Sequence, residues 1–318
     1  MKKSFTVFLV VLLALSLAGC RGKGPAKQND GIVIGWLMKN TTTVFENVIN
    51  GGGLAVLDAA KAGGTIKDYI TFDGNTDPSI QINQADDLIN LGVNAAIIQP
   101  AESNGSAPAV QALVDAGIPV VVVNARTSNT AQLASAYIGS YDVDAGEIMG
   151  KYILDTLGDT GAYCHLQGVI GNSAAIERTQ GIHNILDKAP GWKMLDEQSA
   201  EWQGDKASRF TQDWIALYGR ELKAIVCDND DMSVASKLAC IEAGRSDIVV
   251  IGVDAIDSAL AMVKAGELDA TVFQDGKGQG GGAAQAAIKV AQGQPVSKET
   301  FIPFVLITKD NISQYYNK

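Results

Sequence analysis

The chain has 318 residues, 47% hydrophobic and 19% charged, with 34 Gly and 8 Pro. This is the composition of an ordered globular protein, not of a disordered, collagen-like or coiled-coil chain, and the length suits two domains of ordinary size. A formal charge of −10, from 25 basic against 35 acidic side chains without a basic block, excludes a nucleic-acid footprint, and two His with four Cys exclude a rich metal site or a disulfide scaffold.

The chain opens as an address. Met1-Lys2-Lys3 is a short basic start, and residues 5–17 (FTVFLVVLLALSL) are almost wholly apolar. That run falls short of the roughly 20 residues a membrane span needs and fits the core of a secretory signal. It ends in Leu17-Ala18-Gly19-Cys20, which resembles the lipobox of bacterial lipoproteins. The resemblance implies cleavage before Cys20 and acylation of its thiol. Residues 21–30 (RGKGPAKQND) are polar, with Gly and Pro, and read as a flexible tether. No later segment is apolar over enough length to cross a membrane. The expected location is therefore the periplasm or cell surface, with the membrane reached through the lipid alone.

From Ile32 onward, short apolar runs alternate with longer segments of helical period. IVIGWLM, YITFD, AAIIQP, IPVVVVN and SAYIGS read as strands, with INQADDLINLG and PAVQALVDAG as helices that stop at Gly92 and Gly117. Gly51-Gly52-Gly53 interrupts the first helix. Runs apolar on both faces fit parallel strands covered by helices on each side, so the fold class is doubly wound α/β.

A second set follows: residues 162–166, 194–198, 224–227, 248–252 and 270–273 as strands, with AIERTQGIHNILDKA, SRFTQDWIALYG, SVASKLACIEAG and SALAMVKAG as helices. Two sets of about equal size imply two similar lobes. A last helix (residues 281–291) and a final strand (residues 301–306) are left over, which the chain accommodates by crossing between lobes near its end. Cys164 and Cys227 fall in strand patterns and Cys240 in a helix pattern, so buried thiols are expected, with a Cys227–Cys240 disulfide left open.

Ligands of open α/β sheets bind beyond the carboxyl ends of the strands. The residues there are Gln99, Asn124, Arg126, Asn229, Asp230, Asp254, Gln274 and Asp275. Singly, each suits a turn or a helix cap. Together they form an amide–carboxylate–guanidinium set, the chemistry that matches hydroxyl groups, each of which offers both a donor and an acceptor.

Five stretches carry a resemblance that covers residues 31–306. They are VCDNDDM (226–232), IGVDA (251–255), SAAIERTQG (173–181), Ile118-Pro119 leading to Asn124, and DATVFQD (269–275). In this order they resemble the periplasmic sugar-binding proteins of ABC transporters, the type I ribose/galactose/inositol-binding group. The resemblance implies two doubly wound parallel-sheet lobes joined by a multi-strand hinge. It implies ligand contacts at Arg178, Asn229, Asp254, Gln274 and Asn124, with Gln99 a further candidate. Trp202 falls where the family sets an aromatic ring against a sugar face; Phe45 is either the opposing ring or a core residue of the first helix, with Thr43 a nearby polar contact. Residues 39–45 (KNTTTVF) depart from the family pattern, and its Ca²⁺ loop is not visible.

Gly276-Lys277-Gly278-Gln279-Gly280-Gly281 formally matches G-x-G-x-x-G, but too little chain follows for a nucleotide-binding half-fold. His165 and His183 have no third partner in sequence and read as structural. The carboxylates Asp230, Asp254 and Asp275 raise the thought of a glycoside hydrolase, yet no catalytic motif accompanies them.

The resulting expectations are a signal peptide at 1–19, a lipidated tether at 20–30, an N-terminal lobe of 31–139 plus 276–297 and a C-terminal lobe of 140–275 plus 298–318. The expected function is capture of a sugar or cyclitol in the inter-lobe cleft by a monomer and delivery to an ABC permease, without catalysis, cofactor, metal or nucleic acid. A sugar-sensing coreceptor for a chemoreceptor or sensor kinase is the alternative.

Overall fold

Strands buried on both faces need apolar side chains at successive positions, and this chain supplies them twice. The structure is a computed structural model that describes residues 31–316. The expected signal peptide, the tether and Cys20 lie outside the described residues.

The first lobe begins β1 (Val33–Met38), α1 (Val44–Ala62), β2 (Asp68–Asp73), α2 (Pro78–Leu91), β3 (Ala95–Ile98) and α3 (Ala107–Asp115). It continues through β4 (Val120–Asn124), α4 (Thr130–Leu133) and β5 (Ala136–Gly139). The second lobe runs α5 (Asp142–Leu157), β6 (Thr160–Gln167), α6 (Ser173–Leu186), β7 (Gly191–Ser199), α7 (Gly204–Tyr218) and β8 (Ala224–Cys227). It then adds α8 (Asp230–Glu242), β9 (Val249–Asp254), α9 (Asp257–Ala265) and β10 (Ala270–Phe273). Finally α10 (Gly276–Ala291) and β11 (Glu299–Phe301) return to the first lobe, and β12 (Val305–Ile307) ends in the second.

The two sheets share one wiring. The first has the order β11-β5-β4-β3-β1-β2 and the second β12-β10-β9-β8-β6-β7. All pairings are parallel except β10 with β12. In each sheet the strand order reverses beside the first strand of the lobe, at β1/β3 and at β6/β8. Such a reversal opens a crevice at the carboxyl ends of the strands.

Alternation along β1 shows how the layers form. Trp36 and Met38 join a core with Ile49 and Leu57 of α1 and Ala283 of α10. Leu37 points to the other face, against Leu88 of α2 and Leu113 of α3. The second sheet repeats this. Tyr163 packs with Ile182 and Leu186 of α6 and Met149 of α5, while Cys164 and Leu166 face the core that contains Trp214 of α7. Cys164, Cys227 and Cys240 are all buried and free.

Three features differ from the sequence reading. The glycines at 51–53 do not interrupt the first helix: α1 is continuous. Gly52 and Gly53 are a contact surface instead, because a Cβ on Gly52 would lie 2.3 Å from the Lys277 carbonyl oxygen of α10, one on Gly53 would lie 2.1 Å from the Trp36 ring and one on Gly280 of α10 would lie 1.9 Å from the Ile49 carbonyl oxygen. The G-x-G-x-x-G stretch is thus the first turns of α10 pressed onto α1. The expected last strand is two strands, split around Pro303; β11 pairs with β5, so the first lobe keeps the chain through Phe301 rather than ending at 297. The helix α5, whose first turn carries Asp142 and Asp144, was not among the elements read from sequence.

The chain therefore passes between lobes three times, after β5, after β10 and after β11.

Candidate functional site

Strand ends of both lobes converge on a cavity of about 520 Å³, within the size range of small-molecule sites. The first lobe contributes Lys39 and Asn40 after β1, Thr43, Phe45 and Glu46 from the start of α1, Thr76 after β2, and Asn124 at the end of β4. The second contributes Asn172 and Arg178 of the α6 region, Glu201 and Trp202 after β7, Asn229 after β8 and Asp254 at the end of β9. Gln274 lies on the crossing between β10 and α10.

Seven of the eight expected contacts thus share one cavity. Gln99 does not line it. It is wholly buried and donates from Nε2 to Asn124 Oδ1 at 3.3 Å, so it stands behind the wall and orients Asn124. Asn124 in turn donates to Gln279 Oε1 at 3.0 Å. Asn229 performs both roles that sequence allowed: its side chain caps α8, accepting from Met232 N at 3.1 Å, and it lines the cavity. Asp275 is a cap alone, accepting from Gly278 N at 2.8 Å. Asp230 is buried beneath the site, where Thr271, Ser233 and the Ala255 amide donate to it. Phe45 is 7% exposed and also belongs to the core, so both of its readings hold.

Arg178 is the most constrained member. Its Nε donates to Asp142 Oδ1 at 2.9 Å, Nη2 donates to Gln274 Oε1 at 2.9 Å and Nη1 donates to the Asp228 carbonyl. Burial disfavours the charge, but Asp142, Asp254 and Asp228 outweigh it and raise the pKa further. Asp254 lies the other way: burial pushes its carboxyl well above the usual range, Arg178 pulls it back, and Asp230 and Glu46 push it up again. The cavity therefore joins a fixed cation and a carboxyl whose ionisation depends on what approaches it.

Lys39 and Glu46 form a buried ion pair at 2.8 Å. Burial opposes the Glu46 charge, yet Lys39 and a hydrogen bond from Thr43 hold its pKa below the ordinary value. Lys39 Nζ also stands 5.2 Å from the Trp202 ring centroid, and Arg178 5.9 Å. A cation from each lobe thus faces the one indole of the cavity.

Two buried donors of the wall, Trp202 Nε1 and Gln274 Nε2, have no hydrogen-bond partner among the described residues. The backbone is strained at the same place. Asn75, Thr76, Asn124, Glu201, Trp202 and Asp254 are non-glycine residues with positive φ, and all six line the cavity. Such strain persists only where the surrounding fold over-determines it, and it concentrates at binding sites.

Sequence reasoning missed Lys39, Asn40, Glu46, Asn172 and Glu201. The strand-end rule applied to β1 would have found the first two. Glu46 sits in the first turn of α1 and Asn172 is the N-cap of α6, places that a capping role alone explains, and Glu201 sits in a connection, where no pattern marks it.

Residues 34–295 match the sequence pattern described as "Periplasmic binding protein domain". The chain belongs to this family. It is 33% identical over 290 residues to a putative rhizopine-binding protein of Rhizobium meliloti, covering 89% of each chain. It is 32% identical to a xylitol-binding protein of Mycolicibacterium smegmatis, over 94% of this chain and 84% of that one. Among solved structures, an ABC transporter solute-binding protein from Bacillus halodurans with bound myo-inositol superposes with a TM-score of 0.84 at 28% identity, over 89% of this chain and 96% of that one. The architecture is that of a type I periplasmic binding protein, and the relatives are solute-binding proteins rather than enzymes.

Proposed function

We propose that this periplasmic binding protein captures a sugar or cyclitol, an inositol-like ring before a ribose or galactose, and hands it unchanged to an ABC permease from an extracytoplasmic, Cys20-lipidated, monomeric form. The observation that carries the reading is the composition of the wall. Arg178 and Lys39, Asp254 and Glu46, and the amides of Asn124, Asn229 and Gln274 supply donors and acceptors from both lobes. A ring with hydroxyls around its edge needs both kinds of partner on all sides. The Trp202 and Phe45 rings of the wall suit the C–H faces of such a ring. The names of the relatives, which include a cyclitol complex and an acyclic polyol binder, agree with this class.

Capture follows from differential contact. Arg178 and Asp254 stand on one lobe and Asn124 and Lys39 on the other, so a ligand touching both favours the closed arrangement. A thermal-shift screen over inositols, xylitol, pentoses and hexoses tests the reading. A saturable rise in melting temperature with at least one polyol is expected. No shift with any of them would overturn it.

A further inference from the structure

The two histidines of the chain, unconnected in sequence, meet in the second lobe. His165 is wholly buried on β6, directly opposite Glu197 of the parallel neighbour β7. His183 lies on α6. Its Nε2 and the Nδ1 of His165 each stand 2.9 Å from the same atom, Glu197 Oε2.

The outer nitrogens are also engaged. His165 Nε2 stands 3.0 Å from Asp228 Oδ1, and His183 Nδ1 stands 2.7 Å from Asp187 Oδ2. Both carboxylates are held in turn, Asp228 by the Gly168 amide and Asp187 by the Tyr163 hydroxyl. An ionised carboxylate only accepts, so each outer nitrogen carries its ring's proton. In a neutral imidazole the inner nitrogen is then a lone pair. With both rings neutral, two imidazole lone pairs and a carboxylate oxygen face one another within bonding reach of a single ion, and a cation satisfies all three; protonation of the rings is the competing arrangement.

We propose that His165 Nδ1, His183 Nε2 and Glu197 bind one divalent transition-metal ion of the zinc class. The three donor atoms lie within 4.8 Å of one another. Two imidazoles and a carboxylate suit zinc at bonds of about 2.0–2.2 Å. Glu197 is a quarter exposed and has room to draw back by the few tenths of an ångström that an ion needs. Carboxylates on the outer nitrogens are the supporting layer that fixes the tautomer of metal-bound His and raises its basicity. His183 and Glu197 line a separate cavity of about 510 Å³, so solvent reaches the cluster and supplies the fourth ligand. Magnesium and calcium, which prefer all-oxygen shells, do not suit two imidazoles. The bound ion joins α6 to β7. None of the three ligand residues lines the inter-lobe cavity, although the two cavities share Val169 and the Asp228 that supports His165 also accepts from Arg178 through its carbonyl.

The protein, purified without a histidine tag and stripped with a chelator, is titrated calorimetrically with ZnCl₂ and, as a control, MgCl₂. One zinc per chain and no magnesium uptake are expected. His183→Ala is expected to weaken zinc binding at least tenfold. Asp187→Asn, on a half-exposed side chain that touches the outer nitrogen of His183 and the Tyr163 hydroxyl but none of the three ligand atoms, is expected to weaken it about 10–100-fold while circular dichroism shows an unchanged fold. No saturable uptake up to about 1 mM zinc would overturn the proposal and leave protons as the charge in the cluster. Uptake that neither variant alters would overturn it equally.

Discussion

At the scale of single residues, the cavity owes its character to side chains that are buried yet not internally satisfied. Asp254 is 5% exposed, and burial raises its pKa. A ligand hydroxyl or the approach of Arg178 restores what burial takes away. Asp254→Asn, which keeps the shape but replaces one acceptor oxygen by an amide, is expected to weaken polyol binding at least tenfold, about 1.4 kcal/mol or more, the scale of a lost hydrogen bond with its partner left unpaired. Calorimetry on the variant measures this, and unchanged affinity would remove Asp254 from the site.

Asp230 gives a second prediction of a different kind. Burial raises its pKa to about 7, against the pull of Thr271 and Ser233. A carboxyl that holds its proton more tightly when folded stabilises the fold fully below its unfolded pKa, near 4, and loses that contribution as pH rises through about 7. Asp230→Asn removes the group that titrates, and the Ser233 hydroxyl can turn to accept from the new amide. Stability measured by urea melts is expected to fall less steeply between about pH 4 and pH 7 in the variant than in the parent, the difference being of order 1 kcal/mol or more. Parallel profiles would show that Asp230 ionises normally.

At the scale of elements, the contact between α1 and α10 decides how the first lobe closes over its sheet. Gly280 lies against the Ile49 carbonyl and Gly53 against Trp36, whereas Gly51 faces open space. Gly280→Ala is therefore expected to destabilise by about 1–3 kcal/mol through overpacking. Gly51→Ala, on the exposed face of the same helix, is expected to stabilise by up to about 1 kcal/mol. Thermal melts of the two variants check the opposition of sign.

The same helices show what was legible in sequence. The strands were readable because full burial demands unbroken apolar runs such as VVVV at 120–123. Gly51-Gly52-Gly53 misled because low helix propensity was weighed without the partner helix, whose close approach requires glycine at 52 and 53. The final strand was read as one because Pro303, which separates the pairing partners β5 and β10, carries no sign of which sheet lies on either side. At the site, strand-end position found Asn124, Asn229, Asp254 and Gln274 and the family resemblance added Arg178, Trp202 and Phe45, but neither could separate Gln99, whose bond to Asn124 turns it inward, from residues that reach the cavity.

At the scale of the whole molecule, few hydrogen bonds and ion pairs among the described residues join the lobes at the rim of the cavity. The Ser103 amide donates to the Gly171 carbonyl at 2.9 Å, Asn172 donates to the Ala101 carbonyl at 3.1 Å, and Arg126 pairs with Glu177 at 3.2 Å. The Arg126 guanidinium also rests 4.3 Å from the Tyr137 ring centroid. These contacts bridge the rim, and the three chain crossings allow them to part. A ligand that bridges Asn124 and Asp254 adds the contacts the rim lacks, so it shifts the population toward closure. Small-angle scattering is expected to show a smaller radius of gyration with bound polyol than without it. An identical radius in both states would mean that the rim alone holds the lobes together.

Calorimetric titration of the protein with myo-inositol, beside cyclohexanol as a ring of the same size with a single hydroxyl, bears most directly on whether the cavity recognises hydroxyl groups. A saturable one-to-one heat from the cyclitol and none from cyclohexanol is the expected result. Binding of cyclohexanol with no response to myo-inositol, nor to pentoses and hexoses in its place, would contradict the account.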